Sequence, residues 1–104
     1  MGKQEGDVMN LYVIVRNDLT RSQKTVQAIH ASAEFLLYED VYEWDNGTVI
    51  CLKVGNEDEL LILEKRIKGM NKPYRTFREP DTGNDMTALA LVGEKNMFKE
   101  LTLA

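Results

Sequence analysis

Lys24, Gln27 and His30 follow one another at three-residue steps, directly after a strand-like run that ends in Arg16-Asn17-Asp18-Leu19. His30 is the only histidine, and imidazole is the side chain that changes protonation near neutral pH without help. A lysine ammonium near a helix start can bind a phosphate or a developing oxyanion, and a glutamine one turn on can orient a water or an amide. A second segment, Glu79-Pro80-Asp81 through Thr87-Ala88-Leu89-Ala90, supplies the Asp81 carboxylate on a tight loop before another strand. Open α/β sheets gather ligands outside the carboxyl ends of their strands, so the two segments make a candidate site for acid–base chemistry. Each residue also has a plainer reading. His30 can bond Glu34 at a helix border, Asp81-Thr82-Gly83 can be simple turn chemistry, and Lys24 and Gln27 can be solvated helix side chains.

These residues need elements to hold them. Leu11 to Val15 and Val49 to Val54 are apolar runs of the kind that become strands covered on both faces. Thr20 with Gln23 forms a capping box, which predicts a helix from Arg21 to Tyr38. At 100° per residue Val26, Ile29, Ala33, Leu36 and Leu37 make the stripe expected to face the core, with Gln23, Gln27 and Glu34 beside it and His30 on the border. Asn56 with Glu59 caps a second helix that ends near Gly69 and buries Leu60, Leu63 and Ile67. Its acidic first turn and its basic last turn both suit the helix dipole. A strand from Tyr74 to Glu79 stops at Pro80. A last strand from Met86 to Val92 follows, its small Ala88 and Ala90 favouring an interior place rather than a separate hairpin. A short helix is expected from Lys95 to Leu101.

The order β-α-β-α-β-β-α implies right-handed crossovers. The expected fold is α/β, a single mixed, partly parallel four-stranded sheet with helices on both faces.

With 104 residues, 43% of them hydrophobic, the chain suits one domain that buries roughly two thirds of its unfolded surface. Residues 11–104 read as that domain, and residues 1–10, mixed and aperiodic, as a flexible tail. No apolar run approaches the ~20 residues that span a bilayer, and no secretory h-region is present, so a soluble cytoplasmic protein without membrane contact is expected. Met1-Gly2 fits a myristoylation signal poorly because position 6 is Gly. Cys51 stands alone, which removes internal disulfides and argues against a cysteine-ligated metal. Neither a Walker loop nor a Gly-x-Gly-x-x-Gly or His-Glu-x-x-His motif occurs, so no cofactor and no metal are expected.

The segments Arg16-Asn17-Asp18-Leu19, Gln27-Ala28-Ile29-His30-Ala31 and Asp81-Thr82-Gly83 resemble the type 2 peptidyl-tRNA hydrolase family in order and spacing over residues 11–104. The resemblance implies hydrolysis of the ester between a peptidyl or aminoacyl group and the 3′ end of tRNA. It assigns catalysis to Lys24, His30 and Asp81, and substrate contact to Gln27, Asp18 and Thr87. Two departures stand out. The family's Met-Gly-Lys-Gly-Lys turn reads Thr20-Arg21-Ser22-Gln23-Lys24 here, which sets Gln23 in the place of the family's lysine, one position before Lys24. The slot of the family's threonine holds Asp85, so Thr82 or Thr87 substitutes for it, or the activity is lost or changed.

Net charge is −4, yet Lys65, Arg66, Lys68, Lys72, Arg75 and Arg78 follow one another with no acid between them. A solvated surface is the default explanation of these charges, and Tyr74 and Phe77 add stacking surfaces, a composition that suits tRNA. Two alternatives stay open beside the hydrolase. One is an inactive RNA- or protein-binding module of the same fold. The other is a homodimer formed through the apolar surface at Phe35, Leu36 and Leu37.

Overall fold

The computed structural model describes residues 8–104. Its elements are β1 (Met9–Arg16), α1 (Arg21–Tyr38), β2 (Val49–Val54), α2 (Glu57–Gly69), β3 (Arg75–Glu79), a 3-10 turn (Pro80–Thr82), β4 (Asp85–Glu94) and β5 (Thr102–Leu103). The fold is α/β, with one mixed sheet in the order β3-β4-β1-β2-β5. β1 and β2 are parallel, whereas β4 runs antiparallel to β1 and β3, and β5 antiparallel to β2.

The crossovers β1-α1-β2 and β2-α2-β3 run in opposite directions along the sheet, and with the usual right hand they lay the two helices on opposite faces. β1 lies between them. Every residue from Leu11 through Val15 is at most 3% exposed, because the pleat offers one apolar set to each helix. β4 occupies an interior place, and its Ala88 and Ala90 are fully buried.

Both helix starts follow their caps. Thr20 Oγ1 accepts from the Gln23 N–H while Gln23 Oε1 accepts from the Thr20 N–H, and Asn56 Oδ1 accepts from the Glu59 N–H. α2 buries Leu60, Leu63 and Ile67.

Four expectations need correcting. The sheet has five strands rather than four, and the segment expected as a helix from Lys95 to Leu101 forms turns instead. Asn96 takes a left-handed φ of 67°, which ends any helical run, and Phe98 swings inward to meet the Tyr12 ring edge-on at 5.0 Å. The chain then pairs with β2 as β5, and the Ala104 N–H bonds the Cys51 carbonyl. Secondly, β1 begins at Met9, so Met9 and Asn10 belong to the domain as buried residues, and only residues 1–7 of the expected tail lie outside those described. Thirdly, β3 and β4 do pair as an antiparallel hairpin, with a bulge.

The fourth correction concerns α1. Its buried residues are Gln27, Ala31 and Phe35, whereas Val26, Ile29, Leu36 and Leu37 of the expected core stripe are 44–73% exposed.

Candidate functional site

α1 packs on β4, β3 and β1, and its buried face opens with a polar residue. Gln27 is only 5% exposed. Its Nε2 donates to Glu79 Oε2 at 2.8 Å, and its Oε1 accepts from Thr87 Oγ1 at 2.9 Å. A buried amide is tolerated because both its ends are satisfied.

Strand irregularity positions Thr87. Pairing steps from Phe77↔Ala88 to Arg78↔Met86, leaving Thr87 as the extra residue of a β-bulge, which turns its hydroxyl toward α1. The same hydroxyl lies 3.3 Å from the Phe77 carbonyl, and with one proton it serves one acceptor at a time.

Glu79 is placed by the end of β3. Pro80 starts the 3-10 turn, and Glu79 caps it by accepting the Asp81 N–H on Oε1 at 3.2 Å. The Gln27 amide foremost, then the Asp81 N–H, with the nearby charge of His30 a smaller cause, hold the Glu79 carboxyl below the usual carboxylate range. One face of the His30 ring stacks on Phe77, with centroids 4.3 Å apart and planes 6° from parallel, and the residue is otherwise exposed. That stacking, rather than a bond to Glu34, is what seats it. No hydrogen bond joins the Glu79 carboxylate to the imidazole, so it can support positive charge on a general base there but does not orient the ring.

The three residues expected to act together do not converge. Lys24 donates from Nζ to Asn17 Oδ1 at 3.0 Å and leans toward β2, where its charge is felt by Cys51. Asp81 is exposed and contributes its backbone N–H to Glu79. Glu79 therefore stands where Asp81 was expected. The residue pattern did carry a signal for it, because a glutamate before Pro-Asp can cap the turn that proline starts, but its chemistry depends on Gln27, 52 residues away.

Asp18 lies in a separate cluster at the carboxyl end of β1. Arg16 binds it through Nε and Nη2, both at 2.9 Å, and reaches the Met86 carbonyl at 3.4 Å and Asp85 at 3.8 Å. Glu57 Oε2 accepts the Met86 N–H at 2.7 Å. The Arg16 guanidinium holds the Asp18 carboxyl low, and Asp18 pushes Arg16 up. Asp18 is thus committed to Arg16 and is not a free substrate contact.

The basic run does not form one uniform patch. Arg66 pairs with Glu100 and lies over Phe98 at 5.4 Å, while Arg75 pairs with Glu39 at 2.7 Å over Tyr38. Arg78 donates to the Asn84 carbonyl and keeps its charge free. Lys65, Lys68 and Lys72 make no ion pair among the described residues. A groove of about 530 Å³ runs between α2 and the β2–β5 edge, bordered by Lys53, Ile62 and the Arg66–Glu100 pair, and of the candidate residues it includes Arg66 alone. Burial pushes the Cys51 thiol up, which suits an inert strand residue. Among the described residues no cluster could hold a metal ion, and no helix is long and apolar enough to cross a membrane.

No family model and none of the curated proteins matches the chain. Among solved structures it is similar to a protein of unknown function from Agrobacterium tumefaciens, with a TM-score of 0.69 and 13% identity over 92% of this chain and 97% of that one. At that identity the likeness extends to the fold.

Proposed function

We propose that the chain hydrolyses the ester joining a peptidyl or aminoacyl group to the 3′ end of tRNA, releasing tRNA and the free acid. The observation that carries this reading is the Gln27 bridge, which holds the Glu79 carboxylate charged and within electrostatic reach of the single histidine. His30 takes a proton from water as the water oxygen bonds the acyl carbon, and returns a proton to the ribose oxygen when the carbon–oxygen bond breaks. Glu79 supports the imidazolium between the two steps by its charge, and Gln27 and Thr87 hold Glu79. Lys24, tied to Asn17 on the β2 side, takes no part in this step. Lys65, Lys68, Lys72 and Arg78 meet tRNA phosphates. Asp81 contributes its backbone N–H to Glu79.

Cleavage of a peptidyl-tRNA in single turnovers tests this. His30→Ala should slow it by about 10²-fold while tRNA still binds, the usual scale for losing a general base. Glu79→Gln should slow cleavage more than Asp81→Asn. A wild type without turnover, or a His30→Ala variant as fast as wild type, removes the mechanism.

A second reading rests on Asp85, which fills the threonine slot and faces Arg16 at 3.8 Å, offering no hydroxyl. It makes the chain an RNA-binding module without turnover, whose tRNA affinity falls as salt rises.

A further inference from the structure

We propose that α1 pairs antiparallel with α1 of a second copy of this chain. Val26, Ile29, Ala33 and Leu36 follow a 3-4-3 spacing, the a/d pattern of a coiled-coil seam. On the helical wheel this seam lies opposite Gln27, Ala31 and Phe35, the residues α1 buries against its own sheet. Val26, Ile29 and Leu36 are 48%, 62% and 44% exposed, and Ala33 in the middle is small enough for close approach. No seam position carries charge.

Charge decides the partner and its direction. The first turn of α1 has no acid and its last turn no base. Arg21 and Lys24 sit instead near the positive end of the helix dipole, and Glu34 and Asp40 near the negative end. Within one copy that arrangement is unfavourable. In an antiparallel pair that sets Val26 across from Leu36 and Ile29 across from Ala33, the Arg21 end of each helix falls beside the Asp40 end of the other, and the two dipoles oppose. A parallel pair would put like charges together. The seam borders His30, so pairing extends to the rim of the site.

Sedimentation equilibrium of the whole chain tests the pairing. One 18-residue helix from each copy is a small interface, so wild type should pass from one copy to two between about 1 and 200 µM. Ile29→Glu with Leu36→Glu should stay single over that range, with circular dichroism and thermal midpoint unchanged because both side chains are exposed in one copy. Ala33→Arg is the second variant should the first misfold, and should also stay single. Arg21→Glu should weaken pairing by about threefold to tenfold, the scale of an exposed ion pair, and Asp40→Arg added to it should restore the wild-type value. Wild type that remains single at 200 µM, or a dimer indifferent to the seam variants, overturns the proposal. A dimer lost in the seam variants but unaffected by the charge swap overturns the antiparallel direction.

Discussion

α2 carries Glu57, Asp58 and Glu59 in its first turn and Arg66 and Lys68 in its last, and it buries Leu60, Leu63 and Ile67 while its polar residues face water. α1 has its charges the other way round, buries a glutamine, and leaves Val26, Ile29, Leu36 and Leu37 in solvent. Both helices start with a proper cap, so the difference does not lie in how they form. It lies in what each face meets. α2 covers the sheet with Leu60, Leu63 and Ile67, and of its apolar side chains leaves only the adjacent Leu61 and Ile62 in solvent, too few to make a seam along the helix. α1 covers the sheet with one face that includes a polar bridge to β3 and β4, and keeps an apolar face with no described segment upon it. Departures from local rules collect where a protein does something besides fold, and here they collect on α1.

The sharpest way to break that contrast is to shave each helix where its apolar residues sit. Leu60 is fully buried, so Leu60→Ala should cost about 3 kcal/mol of unfolding free energy through lost burial and a cavity. Ile29→Ala, measured dilute enough for single copies, should stay within about 0.5 kcal/mol, as exposed positions do. Urea denaturation gives both values. Comparable losses would mean that α1 buries Ile29 after all and that the two helices do not differ.

The contrast also explains what was legible in the residues alone. Caps, strand runs and the dipole pattern of α2 are local signals, and they placed α1, β2 and α2 correctly. The buried face of α1 was not local. Hydropathy ranks Val26 and Ile29 above Gln27, and only partners 52 and 60 residues later make a glutamine the better interior choice. Gln27, His30 and Thr87 could be singled out by type, and two of them bond directly. Glu79 carried only the local signal of a cap before Pro80, because its tie to α1 exists only once β3 lies beside the helix. The turns after β4 were misread as a helix for a similar reason. Phe98 is drawn to Tyr12, at the far end of the sequence, and no neighbouring residue announces it.

A smaller effect sharpens the polar half of the comparison. Thr87 is 2% exposed, and Thr87→Val keeps its shape while removing the donor to Gln27 Oε1. Unfolding free energy should fall by about 1–2 kcal/mol, the usual result of leaving one buried acceptor unpaired. Thr25→Val, on the exposed side of the same helix, should change little, although Thr25 bonds the Arg21 carbonyl. If Thr87→Val is as mild as Thr25→Val, the bridge is not what holds α1 to the hairpin.

The smallest expected effect is the most specific, because it reads the carboxylate at the end of the bridge. Glu79 titrates below the usual range in the folded chain, chiefly because the Gln27 amide bonds its charged form. A carboxyl depressed on folding adds stability that is fully present above the unfolded value near about 4.3 and is lost as pH falls through the lower folded value. Stability should therefore drop from neutral pH toward about pH 3, with Asp18 and Glu100, also depressed, contributing to the same fall. Glu79→Gln should make that fall shallower, since its amide does not titrate. Gln27→Met should leave Glu79 able to titrate but without its main donor, so its side-chain carbon resonance, followed by NMR against pH, should move with a midpoint above that of wild type. The Asp18 midpoint, set by Arg16, should not change. A Glu79 midpoint indifferent to Gln27→Met would mean that the Asp81 N–H alone holds the carboxylate, and the polar face of α1 would then be packing rather than part of a site.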